Sequence, residues 1–139
     1  MSSQPAKRSV SKIVNTGLRI VFGLAFLAFG LMGFLNPMTP PPELGAGAKA
    51  FNEALAASGY MMTLIFVTQL FTGVLCLANR FVPLALVVIF PFLVNSILFH
   101  IYLEPTGLPF AGVFGALNLY LAWTYRKAYA SLLSAMYAG

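Results

Sequence analysis

FVPLALVVIFPFLVNSILFHIYL, residues 81–103, followed at once by Glu104-Pro105-Thr106-Gly107, is the stretch on which the fold turns. At about 1.5 Å per residue, a helix of this length crosses the roughly 30 Å hydrocarbon core of a bilayer. Yet the run contains Pro91, Asn95, Ser96 and His100. An unpartnered amide or imidazole in hydrocarbon costs on the order of several kcal/mol, so these groups are expected to face other protein or a wet cavity and to mark where function sits. Pro91 removes one intrahelical bond and crowds the carbonyl four residues back, so a kink is expected, with the Val87 carbonyl in need of a donor or a water. Ser96, His100 and Glu104 step by four and therefore line one face up to the outer end of the helix.

The rest of the chain has the same character. Of its 139 residues, 60% are hydrophobic and 8% charged, against about 45–50% and 25% in soluble domains. Such a chain needs lipid as solvent. Four apolar segments, near 13–35, 60–78, 81–103 and 108–126, account for most of it, with one long connection at 36–59. The expectation is a single all-α domain: an integral membrane four-helix bundle of antiparallel spans, with no separate soluble catalytic domain.

The net charge of +5 does not point to nucleic acid, because the basic residues form no patch with interleaved aromatics. They sort by membrane side instead. Lys7, Arg8, Lys12, Arg19, Arg80, Arg126 and Lys127 fall on one side; Lys49 falls on the other with Glu43, Glu53 and Glu104. This asymmetry places both termini of a multi-pass protein in the cytoplasm. A signal peptide also begins with a basic region, but the first apolar run is long, no small-x-small cleavage pattern follows Leu35, and more spans come later. Residues 1–11 read as a flexible basic segment. Cys76, the single cysteine, reads as a small packing residue.

Gly23, Phe26, Leu27, Gly30, Gly33 and Phe34 recur at helical steps, a seam where another backbone can approach closely. Arg19 reads as an anchor whose stem snorkels to the headgroups, or alternatively as a phosphate- or substrate-binding arginine. Asn36-Pro37-Met38-Thr39-Pro40-Pro41-Pro42 must run extended. Beyond it, Leu44, Ala48, Phe51 and Leu55 predict a short amphipathic helix, either a surface rider or a lid. Gln69, Thr72, Gly73 and Cys76 share one face of the second span, and Ala111, Gly115, Asn118 and Ala122 one face of the fourth. Trp123, Tyr125, Arg126 and Lys127 are interfacial anchors. Tyr129, Leu132, Leu133 and Met136 keep helical spacing in the tail, to extend the helix or contact a partner.

With the spans placed, the chain resembles the DoxX-like family of small bacterial four-helix membrane proteins. The resemblance is carried by Arg19-Ile20-Val21-Phe22-Gly23-Leu24 with Phe29-Gly30, by Ala57-Ser58-Gly59-Tyr60, by Asn79-Arg80-Phe81-Val82-Pro83-Leu84-Ala85-Leu86, by Pro91-x-x-x-Asn95-x-x-x-Phe99-His100, and by Glu104-Pro105-x-Gly107. It implies kinship with a membrane subunit of archaeal thiosulfate:quinone oxidoreductase, and association with membrane redox enzymes. Relatives often carry a lysine and a glutamate where Gly33 and Gln69 align here, so a proton-relay or redox role resting on that charge pair does not carry over.

Gln69, Asn95, Ser96, His100 and Asn118 are expected to converge on the middle and outer half of the bundle, with Glu104 at its mouth. They either bond to one another across helices, at roughly 0.6–2 kcal/mol per pair, or line a pocket for a lipophile. A quinone needs a donor for its carbonyl oxygen and flat apolar walls, which His100 with Phe92, Phe99 and Tyr102 would supply. A metal is disfavoured because the chain has one histidine, and sites of this kind take at least three protein ligands. No nucleophile is arranged with His100 and a carboxylate, so no catalytic residue is assigned. The function expected is an accessory membrane subunit of a redox system that contacts quinone or another lipophile and is not an enzyme on its own. The alternative is a non-catalytic assembly protein packed against other membrane subunits or its own copies. A small transporter is disfavoured for want of interior charge.

Overall fold

The chain begins as one long helix, α1 (Ser3–Leu35). A computed structural model describes residues 3–36 and 43–135. After α1 come α2 (Ala46–Ala57), α3 (Met61–Ala78), α4 (Val82–Tyr102), a 3₁₀ turn (Pro105–Gly107), α5 (Leu108–Thr124) and the single turn α6 (Arg126–Tyr129). Among the described residues there is no strand. Residues 37–42, which include the four prolines expected to run extended, lie outside the described residues, as does Met136.

Among the described residues three segments are long and apolar enough to cross a membrane: Ser9–Leu35 within α1, then α3 and α4. Helix α5 has 17 residues, about 25 Å of rise, which is shorter than the hydrocarbon core. The basic segment near the start, expected to be flexible, is helical from Ser3. Pro5 falls in its first turn, where a missing N–H does no harm, and extending a helix already nucleated by the apolar run costs little.

The long helices close a ring, α1 on α3, α3 on α4, α4 on α5 and α5 back on α1. Glycines set the closest approach. A methyl built on Gly23 would lie 3.0 Å from Cys76 Cβ and 3.2 Å from the Gly73 carbonyl oxygen, so α1 and α3 pack backbone to backbone. Small-residue contact of this kind is what holds helices together where lipid removes the hydrophobic incentive. Phe22, Phe26, Leu86, Ile89, Leu93 and Leu121 fill the space between the four helices.

The connections follow local chemistry. Asn79 ends α3 in the left-handed conformation at φ 54°, and the Arg80 N–H returns to the Leu75 carbonyl. Phe81, also left-handed at φ 53°, then turns the chain into α4, with Pro83 in its first turn. α4 runs unbroken through Pro91. The donor one turn before Pro91 is Asn118, whose Nδ2 donates to the Leu86 carbonyl at 3.1 Å rather than to Val87.

Helix α2 is the amphipathic helix the sequence predicts. It buries Ala48 and sets Phe51 against Phe99, ring centroids 5.4 Å apart, at the outer end of α4. It does not line the cavity described below, so it rides on the surface rather than closing a lid. At the opposite end Tyr129 donates to the Pro83 carbonyl at 2.8 Å and docks α6 onto the start of α4. Partial burial, then Tyr125 and Cys76 nearby, push its phenol above the ordinary value. Leu132 and Leu133 beyond it are exposed.

Two expectations about basic and sulfur side chains resolve differently. Cys76 is buried in the core, as a packing residue should be. Arg19 does not snorkel. Only 9% exposed, it turns inward and donates through Nη1 to the Cys76 carbonyl. That carbonyl belongs to the last turn of α3, the negative end of the helix dipole, which favours a cation there.

Candidate ligand-binding cavity

A cavity of about 380 Å³ opens between α1, α3, α4 and α5 in the half of the ring away from Arg19. Its walls are six phenylalanines, Phe26 and Phe29 from α1, Phe66 from α3, Phe92 from α4, and Phe110 and Phe114 from α5. Their rings meet edge to face, Phe26 against Phe114 at 5.6 Å and Phe29 against Phe110 at 5.9 Å. Such contacts hold the walls in place while leaving flat faces toward the space. The polar groups are few: Gln69, Ser96, His100 and Asn36.

His100 is held from its outer side. Nδ1 lies 2.8 Å from the Glu104 carbonyl oxygen and 3.0 Å from Glu104 Oε2, and the Gly107 N–H donates to the same Oε2 at 3.1 Å. Both atoms facing Nδ1 are acceptors, so Nδ1 carries the proton. The nitrogen left for a ligand is Nε2. In the neutral ring Nε2 is an acceptor, the reverse of the donor role that the sequence reading assigns to His100. Glu104 therefore belongs to the site as the residue that fixes the imidazole and its tautomer. Gly107 completes the arrangement. A methyl there would run into Cε1 and come within 2.6 Å of Nδ1, so only glycine admits the ring.

Gln69 supplies the second feature. It is 6% exposed and its Oε1 has no hydrogen-bond partner among the described residues. Thr72 Oγ1, one turn on, is likewise buried and unpartnered. Orphaned acceptors of this sort are uncommon because each carries its full desolvation penalty, about 1–3 kcal/mol. Gln69→Leu is accordingly expected to raise the stability of the ligand-free protein by about 1 kcal/mol or more, read as unfolding in detergent. A drop in stability would show that the amide is satisfied.

Two of the expected residues lie elsewhere. Asn95 is exposed on the outside of α4. Ile89, Leu93, Ser96 and His100 form the inward stripe, and Asn95 sits about 100° around the helix from Ser96, so the two cannot share a face. Asn118 is 2% exposed but is spent on the Leu86 carbonyl, tying α5 to α4 away from the cavity. Tyr102 is 79% exposed, and Phe99 packs on Phe51 and His100 rather than lining the space. The expected cross-helix bonding among the five polar residues does not form: His100 bonds to Glu104 and Asn118 to backbone.

The phenylalanines of α1, α3 and α5 were not assigned to a site from sequence. Their signal was present as spacing, 26 and 29 on one helix and 110 and 114 on another, but a buried phenylalanine stripe reads equally as core. Among the described residues no group of three metal-ligating side chains stands together, and His100 and Glu104 have no third partner of that kind. Compared with protein-family models, with curated proteins and with solved structures, the chain finds no match in any of the three.

Proposed function

We propose that this chain is a four-span protein of a bacterial inner membrane, DoxX-like, with both termini cytoplasmic, and that it binds the reduced form of a quinone as an accessory subunit of a membrane redox system. The observation that carries the reading is one aromatic cavity that brings together Gln69, whose Oε1 has no partner among the described residues, and His100, whose Nε2 is an acceptor in the neutral ring. A ligand that satisfies both must donate twice. A hydroquinone has two hydroxyls on a flat ring, and the phenylalanine walls suit its faces. The volume falls at the lower end of the roughly 300–1,000 Å³ typical of small-molecule sites, enough for a ring, with any isoprenoid tail leaving between helices.

The resemblance adds a second support. Gly33 and Gln69, the positions where relatives often carry a lysine and a glutamate, both line this cavity. In place of a charge pair this chain has a glycine packed against the Phe66 ring and an amide, which suits a neutral ligand. The fourth span is α5, short but flanked by Trp123 and by Arg126, whose guanidinium carbon stands 4.9 Å from the Trp123 ring centre, an interfacial anchor. The alternative reading, an assembly protein, draws less support because the small-residue seams are consumed within the chain: Gly115 is buried against Ile97.

The test uses the full chain in lipid nanodiscs, titrated with a short-chain ubiquinol and with its oxidised form. The wild type is expected to prefer the quinol. His100→Ala should weaken it about ten- to hundredfold, the worth of one hydrogen bond to a polarised group, with helix content unchanged. Equal affinity for wild type and variant would remove His100 from the site.

A further inference from the structure

We infer that the basic end of the helix ring carries a second site, for a phosphoryl group, organised around Arg19. It is separate from the aromatic cavity and does not rest on the quinol reading.

The second cavity, about 310 Å³, lies between the first half of α1 and the ends of α3 and α5. Lys12, Asn15, Thr16, Arg19, Thr124 and Tyr125 supply its polar lining. On α1 the first four recur at steps of three and four, so they stand on one face, with Arg19 deepest and Lys12 exposed at the rim.

Arg19 is the unusual member. The residue is 91% buried, the complement of its 9% exposure, and its single hydrogen bond among the described residues goes to the Cys76 carbonyl. A guanidinium has several N–H donors in a planar fork, so most remain free. No carboxylate among the described residues neutralises it. The chain has three acidic side chains, and all lie at the other end of the ring: Glu43 before α2, Glu53 4.0 Å from Lys49 within α2, and Glu104 on His100. A buried, unneutralised cation is costly in a membrane protein, and a carbonyl dipole offsets only part of that cost. A counter-anion is the missing component.

The donors present match a phosphoryl group: a fork for two oxygens from Arg19, a point charge from Lys12, and hydroxyls from Thr16 and Tyr125, the Thr124 hydroxyl being donated to the Leu121 carbonyl. The volume suits a headgroup or a small phosphate ester rather than a whole lipid. The same chemistry is offered by an anionic phospholipid headgroup from the adjoining leaflet and by a soluble phosphate.

The experiment separates these sources. Full-length protein in phosphatidylcholine nanodiscs is exchanged against phosphatidylglycerol, with retained lipid counted by native mass spectrometry; the same protein in neutral detergent is titrated with inorganic phosphate by calorimetry. Selective retention of phosphatidylglycerol assigns the site to a headgroup, and a phosphate heat in detergent assigns it to a soluble anion. Whichever ligand binds, Arg19→Gln should weaken it about tenfold or more, and Lys12→Gln by a smaller factor. Arg19→Lys, which keeps the charge but not the fork, should fall between wild type and Arg19→Gln. If Arg19→Gln fails to fold because α1 loses its tie to Cys76, the exposed Lys12→Gln decides. Absence of both preferences in the wild type, or binding by Lys12→Gln and Arg19→Lys that equals that of the wild type, overturns the site.

Discussion

Gly73→Ala is expected to cost about 3 kcal/mol, the upper part of the usual range for overpacking, and to be the most damaging single-methyl change in the chain. A Cβ at Gly73 would stand 2.5 Å from the Leu27 nitrogen, 2.8 Å from the Gly23 carbonyl oxygen and 2.8 Å from Leu27 Cα. All three are backbone atoms, which cannot swing aside, so α1 and α3 must separate along their closest contact. Gly30 gives the contrast. A methyl there meets Leu70 Cγ at 2.7 Å and Cδ2 at 2.9 Å, in a side chain that can change rotamer, and the nearest backbone atom across the contact, the Leu70 nitrogen, stands farther off at 3.0 Å. Gly112 provides the control, since a methyl at that position has no neighbour within 4 Å and helix propensity favours alanine by up to about 1 kcal/mol. Unfolding of the three variants in mixed micelles should rank Gly112→Ala as the most stable and Gly73→Ala as the least. Equal stability of Gly73→Ala and Gly112→Ala would contradict the α1–α3 packing.

Gly107→Ala should abolish detectable quinol binding, or weaken it about ten- to hundredfold, while leaving the fold intact. Gly107 has φ −86° and ψ −1°, a conformation any residue adopts, so the substitution carries no backbone penalty. The cost falls on His100. The added methyl occupies the space of its ring edge, so the imidazole must rotate away from Glu104 and take Nε2 with it. Since both His100 and Glu104 are unaltered in this variant, a loss of binding isolates their placement from their presence. Retained affinity in Gly107→Ala, together with loss in His100→Ala, would mean that the ring reaches the ligand from another rotamer; retained affinity in both would remove the imidazole from the site.

Much of the helical layout was legible in the residues, and the reasons are particular. The polar and small stripe Gln69, Thr72, Gly73 and Cys76 is buried because residues three and four apart share a helix face. Ala111, Gly115 and Asn118 are buried for the same reason. The His100–Glu104 contact follows from a four-residue step. Asn95 was misplaced because polarity alone suggested an inward direction, whereas helix rotation allows Ser96 or Asn95 on the inner stripe but not both. Arg19 was misread because its depth in the first span was counted from an apparent start near residue 13, while α1 begins ten positions earlier, at Ser3. A side chain about a turn and a half from a helix end can reach headgroups; one four turns inside a longer helix can turn to its neighbour instead.

By itself the sequence determined that the chain is helical throughout its apolar segments, that those forming α1, α3 and α4 are long enough to cross a membrane though not that the fourth is a shorter helix of 17 residues, and which stripe of each helix is small or polar. Those properties depend on composition and on the 3.6-residue period, which are local. Only the tertiary structure decided which stripes meet, that Asn118 is spent on backbone while Gln69 is left without a partner, that Gly107 makes room for an imidazole, and that Arg19 is buried beyond reach of any carboxylate side chain of the chain. Those outcomes depend on distances between atoms far apart in the chain, and a periodic pattern carries no information about which partner a given face will find.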